Sequence, residues 1–269
     1  MASGTGYSFG DTATAEERLD LLATVFGPPS RAFLGNTVTT PPELACDLGC
    51  GPGNTTRMIR DVTAARRVVG LDRSAAFTES AAFTESAVCT ESAQNRAGQN
   101  EYLVWDAADP IPVNQPDLIY ARMLLAHLPA PAQLAASWAS QLAPGGLLLL
   151  DEIERIDSGN QTVTDYLSVV QARVEQAGAD MYAGQLLGAI PLGDDCHVVA
   201  DQVVAHVVPV PEAARLFRLN LAVWGDDPWV AARFGPDTTA RLDRELAQLR
   251  DGVITWQLRQ VAISRARLQ

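Results

Sequence analysis

Leu44-Ala45-Cys46-Asp47-Leu48-Gly49-Cys50-Gly51-Pro52-Gly53-Asn54 is the stretch from which the rest of the chain is read. A short apolar run ends in three glycines at alternate positions, and a helix-like segment from 54 to 62 follows at once. The pattern predicts a strand, a tight turn and a helix N-terminus. Glycine is required where a chain turns sharply or where a ligand approaches the backbone too closely for a Cβ. The start of a helix then offers unpaired N–H groups to that ligand. A dinucleotide fingerprint is excluded, because it wants glycine at 49, 51 and 54, and position 54 is Asn.

The Gly-x-Gly-x-Gly spacing behind Asp47-Leu48 resembles the first motif of the class I S-adenosylmethionine-dependent methyltransferases, an acidic residue, an apolar residue and Gly-Cys-Gly-x-Gly. The resemblance implies an α/β fold: a Rossmann-like, mostly parallel sheet of seven strands, helices on both faces and an antiparallel last strand. It implies S-adenosyl-L-methionine as cofactor, with the amino-acid moiety and ribose against Gly49, Cys50, Gly51, Gly53 and Asn54. The alternative is a glycine turn with no ligand.

Arg67-Val68-Val69-Gly70-Leu71-Asp72 is a β-rich run ending in an acid. A carboxylate at the end of the second strand accepts both hydroxyls of a ribose in a bidentate way; as a bland alternative, Asp72 caps a helix. Arg73 is the candidate cover for the adenine face. Residues 75 to 92 repeat one hexamer, Ala-Ala-Phe-Thr-Glu-Ser, with a third copy reading Ala-Val-Cys-Thr-Glu-Ser. Six residues turn a helix by about 240° net, so Phe77, Phe83 and Cys89 are expected on three sides. The repeat reads as a tandem expansion that adds surface length.

A third strand, from Glu101, leads to Asp106 and Ala107, which the resemblance places at the exocyclic amine and a ring nitrogen of adenine. Pro116 to Pro129 reads as a fourth strand and the loop after it, and should present residues 120 to 123 to the methyl-transfer site, since ligands of parallel sheets lie at the carboxyl ends of strands. Ala121 and Arg122 are cofactor candidates and Met123 a substrate candidate. His127, in a His-Leu-Pro run, is the candidate general base; the alternatives are that it holds the cofactor or satisfies the loop. Pro144-Gly145-Gly146 precedes a fifth strand that ends in Asp151-Glu152. Adjacent acids point to opposite faces of a strand, and no metal site is expected.

Upstream, Ala15, Leu19, Leu22 and Phe26 mark an amphipathic helix with Thr14 as N-cap and Glu17 three residues on, ended by Gly27-Pro28-Pro29. Residues 1–40 read as an N-terminal helical lid, with Tyr7 and Phe9 as substrate-covering aromatics, 41–156 as the cofactor-binding core, and 157–269 as the part completing the sheet. Strands are expected at Val198 to Pro211 and Trp256 to Ser264, with about 45 residues between them, more than a hairpin needs. That insertion, with Phe217, Trp224 and Trp229, reads as a substrate cap around 211–250, and Trp224 is its substrate candidate.

The 269 residues carry a formal net charge of −12, which argues against a nucleic-acid partner. No apolar run approaches the ~18 to 20 residues of a membrane span, and four cysteines lack any Cys-x-x-Cys pair. A soluble, cytoplasmic methyltransferase of a small-molecule acceptor is expected, with a homodimer compatible with the chain. Rivals of the same fold bind the cofactor and promote a cyclisation, or bind it without turnover.

Overall fold

The computed structural model describes residues 12–91, 100–224 and 227–267. Its frame is a seven-stranded sheet in the order β3-β2-β1-β4-β5-β7-β6. The strands are β1 (Leu44–Leu48), β2 (Arg67–Asp72), β3 (Glu101–Val104), β4 (Leu118–Arg122), β5 (Leu147–Asp157), β6 (Cys196–Pro209) and β7 (Val253–Arg265). The first five run parallel, and β7 is antiparallel to both β5 and β6. The reversal of order between β2 and β4 on either side of β1 puts the ends of β1, β2 and β4 around one crevice, where such sheets bind ligands.

Alternation along the strands separates two layers. Cys46, Leu48, Leu148 and Leu150 face one way, against Ala135, Trp138 and Ala139 of α4 (Pro131–Ser140). Ala45 and Leu149 face the other, against Phe33 and Leu34 of α1 (Ala13–Thr37) and Met58 and Ile59 of α2 (Asn54–Thr63). A third core joins α5 (Gln161–Gln176), α6 (Val210–Trp224) and α8 (Thr238–Leu246) to the far ends of β6 and β7, with α7 (Pro228–Phe234) beside it. The hexamer repeat lies on α3 (Ala75–Glu91), where Phe77 is buried and Phe83 exposed, as the 240° step requires.

The structure corrects the reading of the N-terminal region. Thr12, not Thr14, caps α1, its hydroxyl accepting from the Ala15 N–H at 3.4 Å. The helix also runs through Pro28 and Pro29 to Thr37. Proline removes the N–H that would bond four residues back, which deprives the Val25 carbonyl of its helical donor. His206 of β6 replaces that donor, with Nε2 2.7 Å from the Val25 oxygen. The Pro29 carbonyl accepts from Gln260 of β7 at 3.3 Å. The helix survives its prolines because the sheet edge serves its carbonyls.

His206→Ala should therefore cost about 1 to 2 kcal/mol, the usual cost of a buried carbonyl losing its donor, while His206→Gln recovers part of it. Equilibrium denaturation checks this; a midpoint unchanged in His206→Ala would mean that water serves Val25 equally well.

Candidate active site

The floor of the crevice is the loop between β1 and α2. Gly49, Gly51 and Gly53 take φ of 71°, 52° and 83°, where a Cβ is strained. A Cβ at Gly49 would lie 2.9 Å from Leu124 Cδ1, and one at Gly53 2.6 Å from the Tyr102 hydroxyl. Beneath the loop, Asp47 is buried and its Oδ2 accepts from the hydroxyls of Thr55 and Thr56 at 2.6 and 2.7 Å. Burial pushes this carboxyl up to about 6, against the pull of the two hydroxyls. The loop N–H groups of Gly49 and Cys50 both donate to the Leu71 carbonyl, at 2.8 and 3.1 Å. Loop and second strand are thus one unit.

Asp72 completes that unit. Its Oδ2 accepts from the Gly51 N–H and its Oδ1 from the Ser74 N–H, each at 2.9 Å. The carboxylate is held at the cleft with a lone pair left on each oxygen; burial raises its pKa. Arg73, Asp106 and Ala107 line the same cleft. Asp106 also closes a turn, its Oδ1 accepting from the Ala108 N–H at 2.9 Å.

Across the crevice the chain turns after β4. Met123 has φ 50°, a left-handed value sparsely populated outside glycine, while Leu124 is right-handed. Successive conformations of opposite hand aim neighbouring N–H groups at one point. The N–H groups of Leu124 and Leu125 donate to Glu152 Oε1 at 2.9 and 2.8 Å. Glu152 is fully buried and lines the cleft, and its Oε2 has no hydrogen-bond partner among the described residues. Burial pushes its carboxyl up to about 8. Asp151 goes to the opposite face, accepting from Ser30, Tyr120 and Gln260. His127 lines the cleft, but burial and then the charges of Arg18 and Arg73 push its imidazole down to about 3. Such a group holds a neutral ring at physiological pH and is a weak proton acceptor.

Beyond Met123 the cleft opens into a mainly apolar chamber under α1, α5 and α6. Leu22, Phe26, Val170, Leu216 and Trp256 form its walls, with Tyr166 and Phe217 stacked at 4.3 Å. One polar chain crosses it. Buried Arg18 donates through Nε to Asn220, and Asn220 donates to the Tyr166 hydroxyl at 2.6 Å.

Gly49, Cys50, Gly51, Asn54, Asp72, Arg73, Asp106, Ala107, Arg122, Met123 and His127 thus share one cleft. Four expectations are corrected. Ala121 is fully buried in the core between the sheet and α4, and Tyr120 lies on the far face against Asp151. Gly53 is absent from the cleft wall; Tyr102 packs where its Cβ would be. Trp224 belongs to the core of α5, α6 and α8 and does not line the chamber. Tyr7 and Phe9 lie outside the described residues. Arg18, Tyr166 and Asn220 escaped sequence reading, and Glu152 was read only as one of two adjacent acids ending the fifth strand. Their one signal was polarity within an apolar face.

A family model described as a methyltransferase domain matches residues 29–188, which hold the loop, Asp72 and Glu152. The chain belongs to this family. The methyltransferase-domain family implies S-adenosylmethionine as methyl donor, and the cradle suits it: a close backbone approach, a carboxylate tied to the loop and an adjoining chamber. A curated relative, trans-aconitate 2-methyltransferase of Methylobacterium radiotolerans, is 38% identical over 120 residues, 45% of this chain and 42% of that protein. The match therefore spans less than half of that relative's length. Among solved structures, geranyl diphosphate C-methyltransferase from Streptomyces coelicolor A3(2) superposes with a TM-score of 0.54 at 12% identity, over 96% of this chain and 89% of that one. The [4+2]-cyclase SpnF superposes with a TM-score of 0.51 at 18% identity, over 95% and 82%. These two likenesses establish the fold. No helix among the described residues is long and apolar enough to cross a membrane.

Glu152 makes the stability of this methyltransferase-family chain depend on pH with a definite sign. Its carboxyl titrates at about 8 when folded, against 4.5 in the ordinary case, so between these values the folded chain holds a proton that the unfolded chain has released. Stability falls as pH rises through that window and levels above it. Glu152→Gln lacks this slope and should gain on the wild type by on the order of a few kcal/mol from pH ~5 to ~8. Denaturation curves at several pH values measure it; parallel curves would show that the folded carboxyl titrates normally.

Proposed function

We propose that the protein transfers a methyl group from S-adenosylmethionine to an oxygen, nitrogen or carbon atom of a small molecule held in the chamber beneath α1, α5 and α6. The observation that carries this reading is continuity: the glycine loop, the loop-tied Asp72 carboxylate and the apolar chamber form one cleft. Bound there, the cofactor supplies a methyl group already activated on a positively charged sulfur. The remaining work falls to the chain, which aligns the acceptor and excludes water. Asp72 would accept the ribose hydroxyls, Asp106 the adenine amine, and the Ala107 N–H would donate to a ring nitrogen. Arg122, whose charge acts on the buried Asp47 and Asp151 carboxylates and which lines the cleft, would meet the methionyl carboxylate.

The chamber favours an acceptor with a hydrocarbon body and one polar or anionic group set against Arg18, Asn220 and Tyr166. The curated relatives are named for trans-aconitate; the apolar walls here suit a larger hydrocarbon part. The N-terminal half of α1, whose Leu19 lies over Gly51, acts as the lid, and residues 157–269 complete the sheet and close the chamber. The charge of −12 sets nucleic acid aside as acceptor. The buried free thiols of Cys46, Cys50 and Cys196 suit a reducing compartment such as the cytoplasm, with a homodimer as an open assembly.

Calorimetric titration with S-adenosylmethionine, S-adenosylhomocysteine and NAD tests the cofactor. Both adenosyl ligands should bind and NAD should not, and Asp72→Ala should weaken them by about ten-fold or more. A folded protein that binds neither adenosyl ligand would end this reading. In an acceptor screen read by mass, acids should be methylated at least about ten-fold faster than their neutral esters, a preference Arg18→Met abolishes; equal use of both would remove Arg18 from acceptor recognition.

A further inference from the structure

Glu152 is a group that the cofactor reading does not use. Its Oε1 is fixed by the paired N–H groups of Leu124 and Leu125, and its Oε2 lies fully buried in the wall of the cleft, without a hydrogen-bond partner among the described residues. A buried carboxyl oxygen left unserved is costly, and the chain maintains the left-handed Met123 to hold it there. We propose that Glu152 takes the proton of the acceptor, and that the charge of the molecule in the cleft decides whether Oε2 carries one. This inference rests on S-adenosylmethionine being the cofactor.

The charged and titratable groups around Glu152 agree with this assignment. On β5, the neighbouring Asp151 carboxylate opposes ionisation of Glu152. On β7, Arg259 stands opposite Glu152 in the register but is committed to Asp201 at 2.7 Å and lies near Glu154. Arg122 of β4, Arg18 of α1 and His127 of the turn after β4, whose ring is neutral, line the same cleft. Asp72 and Arg73 face the cleft from the end of β2. With no cationic ligand in the cleft, burial and the Asp151 charge keep the proton on Glu152 at neutral pH. A positively charged sulfur in the cleft favours the carboxylate, and the proton leaves to solvent.

The carboxylate is then ready for the acceptor. The acceptor O–H or N–H bond breaks and its proton goes to Oε2. The electron pair left on that atom forms the bond to the methyl carbon, and the pair of the carbon–sulfur bond stays on sulfur, which becomes neutral. With the positive charge gone, the protonated carboxyl is again the favoured form. Glu152 thus takes the role that the pH range of His127 denies to the imidazole.

The test needs no acceptor. Calorimetric titration of the wild type and Glu152→Gln with S-adenosylmethionine and S-adenosylhomocysteine, in two buffers of different ionisation enthalpy, counts the protons released at pH ~7. The wild type should release most of one proton more with the sulfonium ligand than with the thioether. Glu152→Gln should lose that excess while binding the thioether within about two-fold of the wild type, which shows it folded. Infrared difference spectra of the wild type give a second readout: the band of a protonated carboxyl should vanish with the sulfonium ligand and persist with the thioether. Equal proton counts for the two ligands, an excess that survives in Glu152→Gln, or a band unmoved by either ligand would each overturn the proposal while leaving cofactor binding intact. Failure of both ligands to bind the wild type would overturn the cofactor reading and this inference together.

Discussion

The buried clamp of Asp47 on Thr55 and Thr56 is the contact on which the rest of the site depends. It joins the end of β1 to the first turn of α2 across the glycine loop, and so fixes where the loop can lie. With the loop fixed, the Gly51 N–H reaches the Asp72 carboxylate and the loop amides reach Leu71. Two strands, a loop and a helix then move as one body. A carboxylate buried at such cost is tolerated because its hydroxyl partners replace water in the one place where water would loosen the loop.

The second constraint lies on the other side of the cleft. Helix α1 passes over the glycine loop at Leu19 and reaches the sheet at Phe33 and Leu34. Its two prolines would ordinarily divide it into two helices. His206 and Gln260, from the two antiparallel strands at the sheet edge, accommodate the break and keep one rod. The chamber wall from α1 is therefore registered against β6 and β7, elements far away in sequence. Arg18 meets Asn220 of α6 for the same reason.

Much of this was legible in the residues. The glycine loop, the acids closing β2 and β3, and the turn after β4 could be placed because local spacing dictates their backbone, and each of Asp72, Asp106 and Arg122 reached the cleft. What was misplaced depended on packing at long range. The end of α1 was misread because the donor to Val25 lies 181 residues away. Trp224 was assigned to the chamber on aromatic character alone; it shares a face of α6 with Phe217 and Asn220 but lies a turn beyond them, in the core of α5, α6 and α8. Gly53 was counted with the ligand-contacting glycines although Tyr102, from β3, is the reason for it. Glu152 was seen only as half of an acidic pair, since nothing local announces a nest formed by another strand's loop.

The hexamer repeat of α3 has a consequence for how this wall of the cleft tolerates change in length. The first copy supplies Phe77 to the cleft, and the second supplies buried Ala81 and Glu85, which accepts from Asn100 at the start of β3. Were the second copy to drop out, the third would slide into its register with Ala87 in place of Ala81 and Glu91 in place of Glu85. Slippage by a whole unit therefore substitutes like for like at Ala81 and Glu85, where the second copy touches the body, and alters only two exposed positions, where Val88 would succeed Ala82 and Cys89 would succeed Phe83. In this segment the chain carries its own spare part.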